Sequence, residues 1–284
     1  MKDNRPLGKE DYTDEACLLC DPATGKRYGA QALPMSRITE KLDEYVSRGD
    51  FASAARHLDY WLSEARYNGD MRGEFSVLNE MMGFYRKQGD SEKAFGSLEA
   101  ALMVMRRLGM EDNLSAATCY VNCGTVCTAF GQSGRALGYF EKAREIYEGH
   151  SSADPSHLGG LYNNMALALT DCGRFDEAME SYEKALEVMG KVSSSQVQRA
   201  VTLMNMADCV ALMKGDDVSF SDIRDYVSGA MELMEDPDVV RDSYYAYECA
   251  RFAPGFDYYG FGEYARELSA RSEKILKGEK SEGT

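Results

Sequence analysis

Four glycines, Gly49, Gly89, Gly131 and Gly173, stand 40, 42 and 42 residues apart, each between two amphipathic stretches. Five residues after each comes an alanine: Ala54, Ala94, Ala136 and Ala178. Seven further on stand Trp61, Ala101, Ala143 and Ala185, and between the two columns lie Leu58, Leu98, Phe140 and Tyr182. A register kept in several columns over such a period is the mark of a repeat array, in which each unit buries its apolar stripe against its neighbours.

Each column has a physical reason. Glycine takes the left-handed conformation that ends a helix at little cost. Alanine lets two antiparallel helices approach closely, and the large residues fill the space where they diverge. The stretch from Phe175 to Met189 shows the 3.6-residue period of a helix buried on one side. First helices are expected to start after Asp70, after Asp112 or Asn113, after Asp154 ahead of Pro155, and within Ser193 to Ser195.

These units resemble the tetratricopeptide repeat. Tyr162, Met165, Ala166, Leu169, Gly173, Ala178, Tyr182 and Ala185 fall on its large, large, small, large, turn-glycine, small, large, small positions, and Tyr120, Cys123, Gly124, Cys127, Gly131, Ala136, Phe140 and Ala143 do likewise. The first two units depart, with Leu42 and Met82 at a position where the motif wants a small residue. The long period is similar to that of kinesin light chains. The expected fold class is therefore all-α, a right-handed superhelical array of antiparallel helix pairs, an α-solenoid.

Five such repeats are expected over residues 35–235, the fifth degenerate, with Lys214 in place of the turn glycine and an insertion from Gly215. A further helix pair, broken at Pro254-Gly255, is expected over 236–277 as a C-terminal cap. Residues 1–34 read as an N-terminal arm, and 278–284 as a disordered tail.

Composition narrows the partner. The formal net charge is −15, which repels phosphate backbones and disfavours nucleic acid; a neutral or basic protein or extended peptide segment fits better. No apolar run is long enough for a membrane span, and the N-terminus lacks a secretory core, so a cytoplasmic location is expected. Eight cysteines are present, but Cys119, Cys123 and Cys127 share one helix face and read as small apolar residues in a reducing compartment. Cys17 and Cys20 have the spacing of half a zinc site, yet no second pair follows, so no metal or other cofactor is expected. No catalytic constellation emerges, and the chain reads as non-enzymatic.

A ligand is expected on the first helices, which line the concave face in the family it resembles. Aligning units on Gly131, Gly173 and Lys214 puts Asn122, Asn164 and Asn205 in one column. Asparagine amides can donate to and accept from a peptide backbone; they can equally bond between helices. The remaining groove candidates are Thr118, Val121, Thr125, Thr128, Asn163, Leu167, Thr170, Val201, Met204 and Asp208, with Arg86 and Lys87 as a basic pair. Replacing the three column asparagines by alanine is expected to weaken binding and leave melting nearly unchanged. The leading reading is a peptide- or protein-binding adaptor or scaffold. Alternatives are a peptide-gated regulatory receptor and a structural subunit that self-associates through its repeat ends.

Overall fold

A computed structural model describes residues 32–277, so Cys17, Cys20 and the expected arm up to residue 31 and tail lie outside the described residues. Twelve α-helices follow one another: α1 (Met35–Ser47), α2 (Phe51–Asn68), α3 (Met71–Lys87), α4 (Ser91–Leu108), α5 (Leu114–Ala129), α6 (Ser133–Gly149), α7 (Pro155–Asp171), α8 (Phe175–Met189), α9 (Gln196–Lys214), α10 (Phe220–Met234), α11 (Ser243–Tyr258) and α12 (Gly262–Leu276). Strands are absent from the described residues. The chain divides into two compact units, Met1–Val126 and Cys127–Thr284.

The turn glycines behave as the repeat predicts. Gly49, Gly89, Gly131 and Gly173 have φ of 70°, 71°, 73° and 72°, the left-handed region. At each turn the amide one past the glycine donates back five residues, as Asp50 N to Tyr45 O (2.9 Å) and Arg174 N to Leu169 O (2.9 Å). This bond satisfies a carbonyl the helix would otherwise leave open. The alanine column and Leu58, Leu98, Phe140 and Tyr182 are all fully buried.

Caps explain the helix starts. Asp70 accepts from Gly73 N (2.9 Å), Asn113 from Ala116 N (2.9 Å) and Asp154 from Ser156 N (2.9 Å). Asn113 rather than Asp112 is thus the cap of α5. Ser195 stands at the start of α9, but its hydroxyl is buried and donates to Met189 O (2.6 Å), tying α9 to the preceding helix instead.

The last two pairs differ from the sequence expectation in two places. Lys214 is still helical, and the turn falls on Gly215 (φ 56°, ψ −129°), 42 residues after Gly173. A short 3-10 turn, Gly215–Asp217, then leads to α10, which opens with a capping box of Ser219 and Asp222. The chain also does not break at Pro254-Gly255. Pro254 lies inside α11, and the turn comes at Gly260 (φ 92°), where Phe261 N donates to Phe256 O (2.8 Å) in the pattern of the regular turns. Proline removes one helical donor without ending a helix whose flanks are packed. Counting from Gly260, Ala265 and Ser272 occupy the two small columns, both buried, so α11 and α12 form a sixth pair in register.

Within the second unit, two apolar clusters run between successive pairs. Ala166, Leu169, Ala178, Tyr182, Met206 and Cys209 join α7, α8 and α9. Val210, Ile223, Val227, Ala230, Phe252, Phe256 and Leu268 belong to the cluster that joins α9 through α12. In this unit each of these pairs contributes to a neighbour's core, as expected of a repeat array.

Candidate functional site

First helices pack side by side within each unit: α1 on α3, and α7 on α9 on α11. Their remaining face is the candidate site, and hydrogen bonding sorts its residues. In the first unit the Asn122 amide donates to Asn79 Oδ1 (3.1 Å), while Asn79 donates to Phe75 O (2.9 Å). In the second unit Asn205 donates to Asn163 Oδ1 (3.1 Å). The bond pairs Asn205 with Asn163, one residue away from the Asn164 that alignment on Lys214 would choose. Asn205 is only 6% exposed, so its amide serves the helix contact. Asn164 is half-buried and has no hydrogen bond among the described residues.

The threonines of this layer turn inward on their own helices. Thr118 donates to Leu114 O (3.2 Å), Thr125 to Asn122 O (2.9 Å) and Thr170 to Ala166 O (2.9 Å). Their hydroxyl protons are therefore committed to the helix backbone. Val121, Thr128, Leu167 and Val201 are half-buried, and Met204 is buried against α11, where its methyl would meet a Cβ at Gly255 at 3.2 Å. Arg86 and Lys87 occupy the last turn of α3, Lys87 exposed and Arg86 half-buried.

Two carboxylates stand on these faces, Glu80 half-buried and Asp208 exposed. Desolvation, reinforced by the charge of Asp43, raises the Glu80 carboxyl above its usual range, against the opposing pull of Lys87. Desolvation likewise raises Asp208, even though the Tyr259 hydroxyl donates to its Oδ1 (2.5 Å) and Arg251 stands near.

A feature of α11 escapes the sequence reading. Of its aromatics, Tyr245, Phe252 and Phe256 are buried in the apolar cluster of the last pairs. Tyr244, Tyr247 and Tyr258 are exposed instead, by 41%, 62% and 78%. With Arg251 and Pro254 they recur at helical spacing and form one stripe along α11. Arg251 pairs with the buried Glu248 (2.5 Å), and the same carboxylate and burial push Tyr244 up to about 12, burial being the larger cause. A count in steps of three and four from Tyr244 would have found the stripe.

Among the described residues no group of three or more metal-ligating side chains is assembled, and no helix is long and apolar enough to cross a membrane.

The geometry thus defines an all-α helical-repeat protein in which first helices pack side by side within each unit. Residues 74–149 and 161–189 match models of the tetratricopeptide repeat. BtubC (BKLC) from P. vanneervenii is similar in structure at 15% identity, with a TM-score of 0.55 over 84% of this chain and 94% of that one. A Podosopora anserina crystal structure described as kinesin light chain, nearly identical TPR-like repeats, is also similar: 15% identity, TM-score 0.50, 71% of this chain and 93% of that one. No curated protein matches the sequence. Residues 74–149 and 161–189 are thus tetratricopeptide repeats, and the likeness to the two solved structures is one of fold. Repeats of this family generally mediate protein interactions.

Proposed function

We propose that the chain is a non-catalytic adaptor that holds an extended segment of a partner protein on its first-helix layer. The observation that carries this reading is the exposed α11 tyrosine stripe with Asp208 of the adjacent α9 near its Arg251, Asp208 accepting from Tyr259 just past the end of α11. Tyrosine brings large contact area at low entropic cost, and its ring face attracts cations. Asp208 adds a carboxylate with a free oxygen beside that stripe. A segment carrying lysine or arginine between small apolar residues is the ligand this surface suits, in keeping with the net charge of −15.

Asn164, with its amide uncommitted, supplies a donor and an acceptor for the ligand backbone; Leu167 and the oxygen of Thr170 add modest contacts along α7. Asn163 and Asn205 support them by setting α7 against α9. A cytoplasmic setting suits the free cysteines.

The test is selection of peptides by display on the full chain, followed by binding of the best one to variants. Tyr247→Ala with Tyr258→Ala, and separately Asp208→Asn, should each weaken it about tenfold or more. Equal binding to wild type and both variants would contradict the reading.

A further inference from the structure

The turn edge of the second unit holds a surface unrelated to the first-helix layer. Between the fourth-pair turn and the end of α9 lies a hollow of about 300 Å3, lined by Gly173, Arg174, Phe175, Asp176, Glu177 and Met213. Gly173 contributes no side chain, and a Cβ there would meet nothing within 4 Å, so the hollow stays open. Met213 is 43% exposed at one wall and the neighbouring Leu212 64%, an apolar exposure that no core contact explains.

The charges around this hollow do not cancel. Arg174 is committed to Glu177, donating from Nε (2.7 Å) and from its terminal nitrogen (2.5 Å). Lys214 is committed to Asp222 (2.5 Å), which also caps α10 through Ser219. Asp176 lines the hollow, and Asp216 and Asp217 follow Met213 by three and four residues in the short 3-10 turn; all three are exposed and have no ion pair among the described residues. The edge is therefore apolar at its centre and negative at its rim. A second copy of the chain would bring the same negative rim to it.

We infer that this edge is a second docking surface, for a partner segment that places an aliphatic side chain in the hollow between flanking basic residues. The hollow accommodates one branched side chain against Phe175 and Met213. The rim carboxylates draw lysine or arginine on either side of it, speeding the encounter and fixing the register. An adaptor with two such surfaces can hold two segments of one partner, or one segment of each of two.

The probe is a labelled synthetic peptide of alternating leucine and lysine, titrated into the full chain and read by fluorescence anisotropy. Asp216→Lys with Asp217→Lys should weaken it about tenfold, and Met213→Ser about threefold or more. The charge-matched control, Glu232→Lys with Asp238→Lys at the opposite end of α10, should change it less than twofold. Both partners of that control are exposed and all replaced side chains lie outside the core, so unaltered melting accompanies each variant. Equal weakening by site and control variants would show attraction to net charge alone and overturn the inference. So would concentration-dependent dimerisation in light scattering that Met213→Ser abolishes, since the occupant would then be a second copy. Each titration is run in the Tyr247→Ala, Tyr258→Ala background, where the first-helix surface no longer competes for a lysine-bearing segment, which separates its outcome from that of the adaptor reading.

Discussion

The side chain of Asn205 on α9 donates to that of Asn163 on α7 across 3.1 Å, joining first helices 42 residues apart in the chain. Both residues belong to the surface on which a ligand was expected, yet the bond faces a neighbouring helix and Asn205 is nearly shut off from water. Asn205→Ala should therefore destabilise the second unit by about 1 kcal/mol, because the part-buried hydrogen bond between α7 and α9 is lost. Asn164→Ala should leave stability within about 0.5 kcal/mol. Urea unfolding of the two variants separates them, and it replaces the expectation that all three column asparagines are dispensable for melting.

His57 gives the first unit a response to acid. It is 4% exposed, its Nε2 lies 2.9 Å from Ile38 O, and burial lowers its pKa below 6.5, outweighing that hydrogen bond. The neutral form thus donates to the carbonyl. Below pH 6.5 the unfolded chain takes up a proton that the folded chain resists, so stability falls from there down to the folded pKa. His57→Gln keeps a donor without that titration. The melting temperature of the variant should drop less than that of wild type between pH 7.5 and 5.5, and parallel drops would count against the assignment.

At the far end, Arg271 of α12 grips Glu235 after α10 at 2.6 and 3.0 Å, and Tyr264 donates to the same carboxylate at 2.7 Å. Burial would raise Glu235, but these bonds outweigh it and hold its carboxyl below 4.5. The stabilisation is present above pH 4.5 and is lost as the pH falls through the folded value. Because Glu235 is partly exposed, Arg271→Ala should cost only about 1 kcal/mol at pH 7, and less in high salt. Denaturant midpoints at two salt concentrations measure it.

Pro254 tests the continuity of α11. Proline in a helix interior removes a hydrogen bond and strains the preceding turn, at a cost of roughly 3 kcal/mol where nothing compensates. Pro254 is exposed and inside the helix, so Pro254→Ala should stabilise the chain by about 1 kcal/mol. A helix truly broken there would gain nothing.

Glycine and alanine columns made four of the pairs legible, because turn conformation and close approach each admit few residue types. The fifth turn was obscured because the units were aligned on Lys214, although Gly215 keeps the 42-residue period; Lys214 is the last residue of α9. That single step also shifted the asparagine alignment, so Asn164 was set opposite Asn205 in place of Asn163. The sixth pair was hidden by Pro254, a residue usually read as a helix end, although Gly260, Ala265 and Ser272 carry the register. Site residues were harder to read. Whether an amide faces a ligand or a neighbouring helix depends on the packing of two helices, which no local pattern encodes. The tyrosine stripe was missed because buried Tyr245 and exposed Tyr244 and Tyr247 lie within one turn of the same helix.

The adaptor reading meets its most direct test in hydrogen exchange of the full chain with and without a display-selected peptide. Slower exchange is expected in α9 and α11, around Asp208 and the Tyr244–Tyr258 stripe, with α10 and α12 unchanged. Protection confined to the second helices α10 and α12, with α9 and α11 unaffected, would contradict it.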